Sequence, residues 1–234
     1  MDRVLVFGTS DGGSTPSGRT MKQGSLAQLV EQSPLKRSVV GSNPTGPTMA
    51  EKLKVLDSEG KEIGQILDRD LIHQKGLWHR EVAIWIFNDK GEVLLQRRSK
   101  NKKQSPNKLG LCAGHVEYTQ DSIKTAQNEL LEEIGVSVNK KDLLYLKTEK
   151  KEKIFSKKII NRIFNDVYYT LINKDVSDFK IQREELSEVL WIDYLAFKER
   201  VLNNDNELTV KAIDPESINT LKLLDKIYYK ITTP

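Results

Sequence analysis

The chain has almost no cysteine and no long hydrophobic run. Its 234 residues include one cysteine, Cys112, which excludes an internal disulfide and any metal site built from several cysteines. No stretch approaches the roughly 18 consecutive apolar residues that a membrane span needs, and the N-terminus lacks the charged and then apolar pattern of a secretory signal. We therefore expect a cytoplasmic protein with no membrane partner.

A strong excess of charge of one sign is also absent. The chain carries 37 basic and 33 acidic residues, so its net charge is only +4. This mild excess does not indicate the basic surface that binds nucleic acid, and we expect no nucleic-acid partner. With 38% hydrophobic residues, the chain can bury a core.

The first 48 residues differ in composition from the rest of the chain. Gly, Ser, Thr and Pro are frequent there and no apolar period persists, which is typical of a disordered tail. Back-translation gives a sharper hypothesis, because codons for Ala27–Gln32 can resemble the D-arm of a transfer RNA gene and codons for Gly41–Pro44 its T-arm. A gene in this register would end near Thr48. We predict that residues 1–48 are read through from an upstream gene and that Met49 is the true start.

From Met49 onward the pattern predicts one compact α/β domain over residues 49–234, with its core at about 78–206. Short β-rich runs alternate with turn residues and predict two hairpins. The predicted elements of this part are strands at Lys52–Asp57 and Lys61–Ile66, a loop or short helix at Leu71–Trp78, and strands at Glu81–Phe87 and Glu92–Arg98.

The segment from Asp121 to Ile134 has the clearest helical pattern in the chain. Apolar residues recur there at spacings of three to four, and Gly135 stands where a helix ends in a left-handed residue. The remaining predicted elements are strands at Phe164–Ile172 and Val189–Asp193 and a final helix from Asp214.

Three glutamates gather on one side of that helix. Glu129, Glu132 and Glu133 stand at i, i+3 and i+4, so their carboxylates lie within about one turn of each other. A solvated surface tolerates such repulsion, which costs roughly a few tenths of a kcal/mol per pair. The same carboxylates also suit a hard divalent cation such as Mg²⁺, which takes oxygen ligands and can bridge phosphate oxygens. The spacing alone is compatible with both interpretations.

The stretch from Gly114 to Val136, GHVEYTQDSIKTAQNELLEEIGV, resembles the Nudix box. That box is a glycine, five residues, Glu, seven residues, Arg-Glu, an aliphatic residue, any residue, Glu-Glu, any residue, a glycine and an aliphatic residue. The positions that match in register are Gly114, Glu129, Leu130, Glu132, Glu133, Gly135 and Val136. Two positions differ, because Gln120 stands where the family has Glu and Asn128 where it has Arg.

The resemblance extends over nearly everything after Met49. The flanking stretches GLWHREVAIWIFNDKGEVLLQRRS and EELSEVLWIDYLAF are similar to those of Nudix hydrolases related to isopentenyl-diphosphate isomerase. The resemblance implies an α/β (α+β) fold in which a mixed β-sheet lies sandwiched between helices and the box forms a loop, a helix and a loop. It leaves a homodimer open.

The resemblance also implies roles for the box residues. Glu132 and Glu133 are expected to ligate Mg²⁺, with Mn²⁺ as the alternative ion, and Glu129 to ligate it or act as the base. The main-chain carbonyl near Ala113 is expected to complete the metal site. The implied reaction is hydrolysis of a diphosphate linkage in a nucleoside diphosphate conjugate or a similar small organic diphosphate.

The two departures from the box leave the activity open. Asn128 cannot form the bidentate ion pair by which the family's arginine orients a box glutamate, and such a loss costs roughly 10- to 100-fold in metal affinity or activity. Gln120 lacks the negative charge but keeps an acceptor. A hydrolase and a non-catalytic Nudix module that binds a nucleotide are both compatible with this box.

The histidines and the cysteine concern a third alternative, isomerase chemistry. His73, His79 and His115 approximate the positions from which isopentenyl-diphosphate isomerases bind a second metal, although each alone is typical of an ordinary side chain. The catalytic cysteine of those enzymes directly precedes the box glycine, whereas Ala113 does so here. Cys112 should face the other side of its strand as a small buried hydrophobe.

Charged residues outside the box have less specific interpretations. Lys147–Lys158 is interpreted as a solvated hairpin tip. Glu185 and Glu188 lie where some Nudix enzymes carry an extra metal ligand or base. The candidates to bind a substrate phosphate are Arg97, Arg98 and His115, against the alternative of a solubilising loop for the two arginines.

Overall fold

The computed structural model describes residues 51–102, 104–156, 159–210 and 215–233, and it describes their side chains except those of residues 153–156 and 159. These residues belong to one compact unit, Thr48–Pro234. The predicted start at Met49 and the read-through hypothesis for residues 1–48 lie outside the described residues and stay predictions.

Strands and helices follow each other along the described chain. The strands and helices are β1 (Lys52–Leu56), β2 (Glu62–Asp68), α1 (Arg69–Lys75), β3 (Trp78–Phe87), β4 (Glu92–Arg98), β5 (Leu109–Gly110), β6 (Cys112–His115), α2 (Ser122–Ile134), β7 (Leu144–Ser156), β8 (Ile159–Leu171), β9 (Leu186–Asp193), α3 (Tyr194–Leu202) and α4 (Pro215–Thr232). Single 3-10 turns at Lys140–Asp142 and Val176–Asp178 precede β7 and β9. The two predicted hairpins are present as β1–β2 and β3–β4.

A mixed sheet of nine strands forms the centre of the described domain. β3 organises it, because β3 pairs antiparallel with β1, β4 and β6 and parallel with β8. The parallel pairing extends from Trp78 opposite Arg162 to Phe87 opposite Leu171. β9 joins the sheet through β4, and β7 joins it through β8.

Helices cover both faces of this sheet. Residues alternate along β3, so Ile84 packs with Leu130 of α2 on one face. Trp85 packs on the other face, with Phe197 of α3 and Leu221 of α4. The predicted fold, a mixed sheet sandwiched between helices, is therefore confirmed.

The box helix α2 has the two ends that its sequence predicts. Asp121 is the N-cap, and its side chain accepts a hydrogen bond from the main-chain N–H of Lys124 at 2.8 Å. Gly135 ends the helix with a φ of +71°, in the left-handed region. No helix in residues 51–102, 104–156, 159–210 and 215–233 is long and apolar enough to cross a membrane.

The interpretation of Lys147–Lys158 as a solvated hairpin tip is wrong for its first half. Those residues continue β7, and Glu149 within them is only 2% exposed. Asn165 Nδ2 donates to Glu149 at 2.9 Å, and Lys151 Nζ lies 2.6 Å from the same carboxylate. Glu149 and Lys151 are thus paired inside the protein, whereas Lys150 and Glu152 of the same run are exposed.

Candidate active site

A cleft of about 520 Å³ opens beside the box helix. The helix supplies three glutamates to it, and the segment after β4 supplies Arg98 and Lys102. Other lining residues that matter below are Glu51, Glu81, Ala113, Gly114, His115, Asn161 and Glu185. Acidic and basic groups therefore share one cavity, as a site for a metal ion and phosphates requires.

Gly114 makes room for one of these glutamates. A Cβ atom added to Gly114 would lie 1.9 Å from Glu129 Oε1 and 2.3 Å from the carboxyl carbon. No side chain could occupy this position without displacing the carboxylate. The first glycine of the box is therefore required because Glu129 approaches the main chain of β6 closely.

The box glutamates, Glu129, Glu132 and Glu133, are close together, and Glu129 and Glu133 are poorly hydrated whereas Glu132 is exposed. Burial, followed by the negative charges of Glu133 and Glu132, raises the pKa of Glu129 to about 9. Burial also raises the pKa of Glu133, although hydrogen bonds from Cys112 and Gln96 oppose the shift. Gln96 Nε2 donates to Glu133 Oε2 at 2.9 Å. A bound cation would relieve this repulsion, so the donor set fits a hard divalent ion.

The two residues that depart from the box pair with each other. Asn128 Nδ2 donates to Gln120 Oε1 at 3.0 Å, and Thr125 Oγ1 donates to the same oxygen at 3.2 Å. A neutral hydrogen bond therefore joins the positions at which the family has Arg and Glu. Both residues are neutral, and the donor of one meets the acceptor of the other. Neither change therefore leaves the other position without a contact.

A second group of ligand atoms, the His-Glu cluster, comes from three elements, and two of its members, Glu81 and His115, line the cleft. His73 lies on α1, His79 and Glu81 on β3, and His115 on β6. One ligand atom of each lies within 4.8 Å of the others. The centroids of the three rings are 5.0, 5.3 and 5.4 Å apart. The β3–β6 register places Glu81 opposite His115, which brings the strand ligands together.

The imidazole nitrogens of the His-Glu cluster need a partner. The Nε2 atoms of His73, His79 and His115 are buried and form no well-aligned hydrogen bond within the described residues, although His115 Nε2 lies 3.1 Å from Glu81 Oε1. His79 Nδ1 lies 3.1 Å from the carbonyl of Leu77 and donates to it, so its Nε2 carries the lone pair. Buried unpaired polar atoms cost free energy, and Nε2 is a common metal ligand. These orphaned nitrogens fit a bound metal ion.

The charge states of this cluster also fit a metal ion. Burial, followed by repulsion from His115 and His79, lowers the pKa of His73 to about 4. Burial opposes the ionisation of Glu81, but the charges and hydrogen bonds of His115 and His79 together outweigh it and hold the pKa of Glu81 well below its usual range. Asn161 Nδ2 donates to Glu81 Oε1 at 3.0 Å. A neutral imidazole and an ionised carboxylate are the forms that bind metals.

Comparison with known proteins agrees with this geometry. Residues 77–212, more than half of the chain, match the NUDIX domain family. The chain belongs to the Nudix family. The match includes the box helix, β3 and the later strands, so it covers the sheet except for β1 and β2 and includes most of the residues that line the cleft.

Relatives of this Nudix protein include hydrolases and isomerases. Nudix hydrolase 3 of Arabidopsis thaliana is 33% identical over 168 residues, which are 66% of this chain but only 21% of that protein. An isopentenyl-diphosphate Delta-isomerase of Serratia proteamaculans is 28% identical over 165 residues, 69% of this chain and 87% of that enzyme. The crystal structure of DR0079 from Deinococcus radiodurans has a TM-score of 0.51 at 19% identity and covers 74% of this chain and 99% of that one. This structural likeness supports the fold alone.

Most of the predicted site residues of this Nudix domain line the cleft. They are Glu129, Glu132, Glu133, Ala113, Arg98 and His115. Arg97 is not brought to the cleft, because it alternates with Arg98 along β4 and its Nε lies 2.5 Å from Glu188 Oε1. Glu185 lies in the cleft and forms an ion pair with Lys102. Of these two glutamates, Glu185 thus lies in the cleft, whereas Glu188 is paired with Arg97 outside it.

Cys112 and Ala113 face opposite sides of β6, as their positions predict. Cys112 is 2% exposed, and burial together with the charge of Glu133 raises the pKa of its thiol well above the usual range. Ala113 is exposed to the cleft. The residue that directly precedes the box glycine therefore presents a methyl group, and no thiol, to the cleft.

Sequence reasoning missed Glu81 and Asn161. Glu81 follows His79 by two residues, so the two side chains lie on one face of a strand, and this spacing was a usable signal. Asn161 had no comparable signal, because it reaches Glu81 only through the parallel pairing of β8 with β3.

Proposed function

We propose that the protein is a metal-dependent Nudix hydrolase of the cytoplasm. Its substrate is a small organic diphosphate, such as a nucleoside diphosphate conjugate, and water cleaves the phosphorus–oxygen bond of the bridge to give two phosphate products. The observation that carries this proposal is that the box glutamates, two cationic side chains and two members of the His-Glu cluster, Glu81 and His115, line one cleft.

Two ion sites follow from the donor sets. Glu129, Glu132 and Glu133, with the main-chain carbonyl of Ala113, would hold Mg²⁺ or Mn²⁺, since these ions prefer oxygen ligands. The His-Glu cluster would hold an ion that accepts imidazole, such as Zn²⁺ or Mn²⁺. When bound, such ions neutralise a diphosphate, polarise phosphorus and lower the pKa of water.

The remaining groups bind the substrate and accept a proton. Arg98 and Lys102 offer N–H donors to the phosphate oxygens from the segment after β4. Glu129 either completes the ligand set of the ion or, once the ion has displaced its own proton, accepts the proton of the attacking water at its carboxylate. Glu185, which is paired with Lys102, adds a further carboxylate to the cleft.

Two alternative functions receive less support. Isomerase chemistry of the related enzymes uses a cysteine directly before the box glycine, where Ala113 stands, and Cys112 is buried on the other face. A module that binds a nucleotide without cleaving it was suggested by Gln120 and Asn128. Their mutual hydrogen bond removes the main reason to regard the box as decayed.

The test is phosphate or monophosphate release with Mg²⁺ from a panel of nucleoside diphosphate conjugates, dinucleotides and isoprenyl diphosphates. We expect turnover on one class and its loss in the Glu132→Gln, Glu133→Gln double variant. Glu199→Gln, an exposed change on α3, serves as the control that keeps activity. Substrate-dependent thermal stabilisation without turnover on any compound would replace the hydrolase by a binding module. Allyl isomerisation that disappears in Cys112→Ala would replace it by an isomerase.

A further inference from the structure

A second, smaller pocket adjoins the cleft and has no part in the proposed metal chemistry. Its volume is about 220 Å³, and it lies between β3, β8, β7 and α4. Glu81, Ala113 and Ile163 line both the pocket and the cleft, so the two cavities meet beside the His-Glu cluster. A diphosphate bound in the cleft could extend its organic group into this space.

The walls of the pocket are mostly apolar, and two alanines create it. Ala83 of β3 lies opposite Ala113 of β6 in the sheet, so two neighbouring side chains on one face are single methyl groups. Trp85, Val167 and Leu221 form further apolar walls. A larger residue at Ala83 would fill the space. The pocket therefore suits a compact, largely apolar group.

One part of the pocket is polar. Glu149 is 2% exposed and accepts from Asn165 and Thr220 while pairing with Lys151. A carboxylate has about four lone-pair positions, and these contacts use three of them. One acceptor position remains for a donor on a ligand. A purely hydrocarbon group would gain nothing from this carboxylate, whereas a hydroxyl or amino group would.

The size of the pocket limits the group that it can hold. At about 220 Å³ it is smaller than the roughly 300 Å³ at which pockets for whole drug-sized ligands begin. It can thus accept one ring or a short chain, while the phosphates stay in the cleft.

We propose that this pocket binds the organic group of the diphosphate substrate, and that this group is compact, apolar along its length and ends in a hydrogen-bond donor that Glu149 accepts. The proposal rests on the proposed hydrolase function and names its substrate class. Glu149 acts on specificity here and takes no part in the cleavage of the diphosphate.

The test compares three substrates of the full chain with Mg²⁺: methyl, pentyl and 5-hydroxypentyl diphosphate. We expect kcat/KM to favour 5-hydroxypentyl over pentyl diphosphate by at least about tenfold, as a hydrogen bond to a charged group allows. Glu149→Gln should reduce that preference to less than about threefold. Glu152→Gln, an exposed change on the same strand, should keep it. Equal rates for the two longer substrates would overturn the proposal.

A variant that fills the pocket provides an independent measurement. Ala83→Leu should lower the ratio of kcat/KM for 5-hydroxypentyl over methyl diphosphate by at least about tenfold, because the chain no longer fits. Ala196→Leu, which adds the same side chain at an exposed position of α3, should leave the ratio unchanged. Thermal unfolding of each variant checks that it folds. An unchanged ratio in folded Ala83→Leu would exclude the pocket.

A failure of the hydrolase proposal would be recognised separately. If the wild-type protein cleaves none of the three substrates, calorimetric binding of 5-hydroxypentyl methylenediphosphonate with Mg²⁺ decides the question. Binding that is lost in Ala83→Leu would support the pocket without the reaction. Absence of binding to the wild-type protein would overturn the pocket as well.

Discussion

The box glutamates and the His-Glu cluster share one cleft, but they are assembled in opposite ways. The box glutamates lie within five residues of a single helix, so local spacing alone brings their carboxylates together. The members of the His-Glu cluster come from α1, β3 and β6, and only the folded sheet brings them together. One set depends on helix geometry and the other on strand register.

The two sets also differ in electrostatics. In the box, burial and mutual repulsion raise the pKa of Glu129. In the His-Glu cluster, burial lowers the pKa of His73, and the two other histidines lower the pKa of Glu81 against the effect of its burial. The box glutamates repel one another and offer oxygen ligands to a cation. The His-Glu cluster already combines histidines with a carboxylate and offers mainly nitrogen ligands. From this difference we expect the two sets to prefer different ions, a hard one and a softer one.

The largest effect is expected from a change that disrupts the box glutamates and leaves the His-Glu cluster intact. Gly114→Ala should lower kcat/KM for diphosphate hydrolysis by at least about 100-fold, because the new methyl group displaces the Glu129 carboxylate. Steady-state kinetics measures the loss, and elemental analysis should find the metal of the His-Glu cluster unchanged. Glu199→Gln, the exposed change on α3, is the control that should keep full activity. Wild-type activity in Gly114→Ala would mean that Glu129 is not needed.

Removing a ligand of the His-Glu cluster should affect only that cluster. His79→Ala should weaken the binding of Zn²⁺ or Mn²⁺ at the His-Glu cluster by more than about tenfold, because it removes a ligand. Competition with a chelator followed by mass spectrometry measures this affinity. The Mg²⁺ concentration that gives half-maximal activity should stay the same, and Lys75→Ala on α1 should change neither value. Simultaneous loss of both metals would show that the two sets form a single site.

The protonation of Glu129 gives a smaller effect, on the pH dependence of Mg²⁺ binding. Glu129 in the metal-free protein keeps its proton up to a pH of about 9, and only its carboxylate form ligates a cation. Mg²⁺ affinity should therefore rise with pH, by up to about tenfold between pH 7 and 8, and binding should release protons. Calorimetry in buffers of different ionisation enthalpy counts them. Affinity that is flat over this range, or proton uptake, would contradict a raised pKa at Glu129.

The smallest effect concerns the neutral pair. The double change Gln120→Glu, Asn128→Arg replaces one matched pair by another, so kcat/KM should change by less than about threefold. Asn128→Leu should instead lower kcat/KM by roughly tenfold, because it leaves Gln120 without this donor. A large gain of activity in the double variant would show that the natural box is a decayed one.

Local patterns in the sequence predicted the box helix correctly, including its ends at Asp121 and Gly135. They also predicted both hairpins, since turn residues and alternation are local signals. The partner of Glu81 was beyond such reasoning, because Asn161 reaches it only through β8 lying next to β3, a strand far away in the chain. Glu149 pairs with Asn165 of the neighbouring strand, but its other partner, Thr220, comes from the distant helix α4. Charge patterning gave a wrong prediction at Glu149, because a buried ion pair and a solvated lysine-rich segment have similar compositions.

The arrangement of the His-Glu cluster has a consequence for the order of events during synthesis. All four of its donors precede residue 116, whereas the box glutamates and the parallel partner of β3 come later. On the ribosome, α1, β3 and β6 are therefore complete before the second half of the cleft exists. An ion bound at that stage would stabilise the nascent half-domain, because it ties its three elements together. The supply of that ion during translation would then govern how much folded protein a cell obtains.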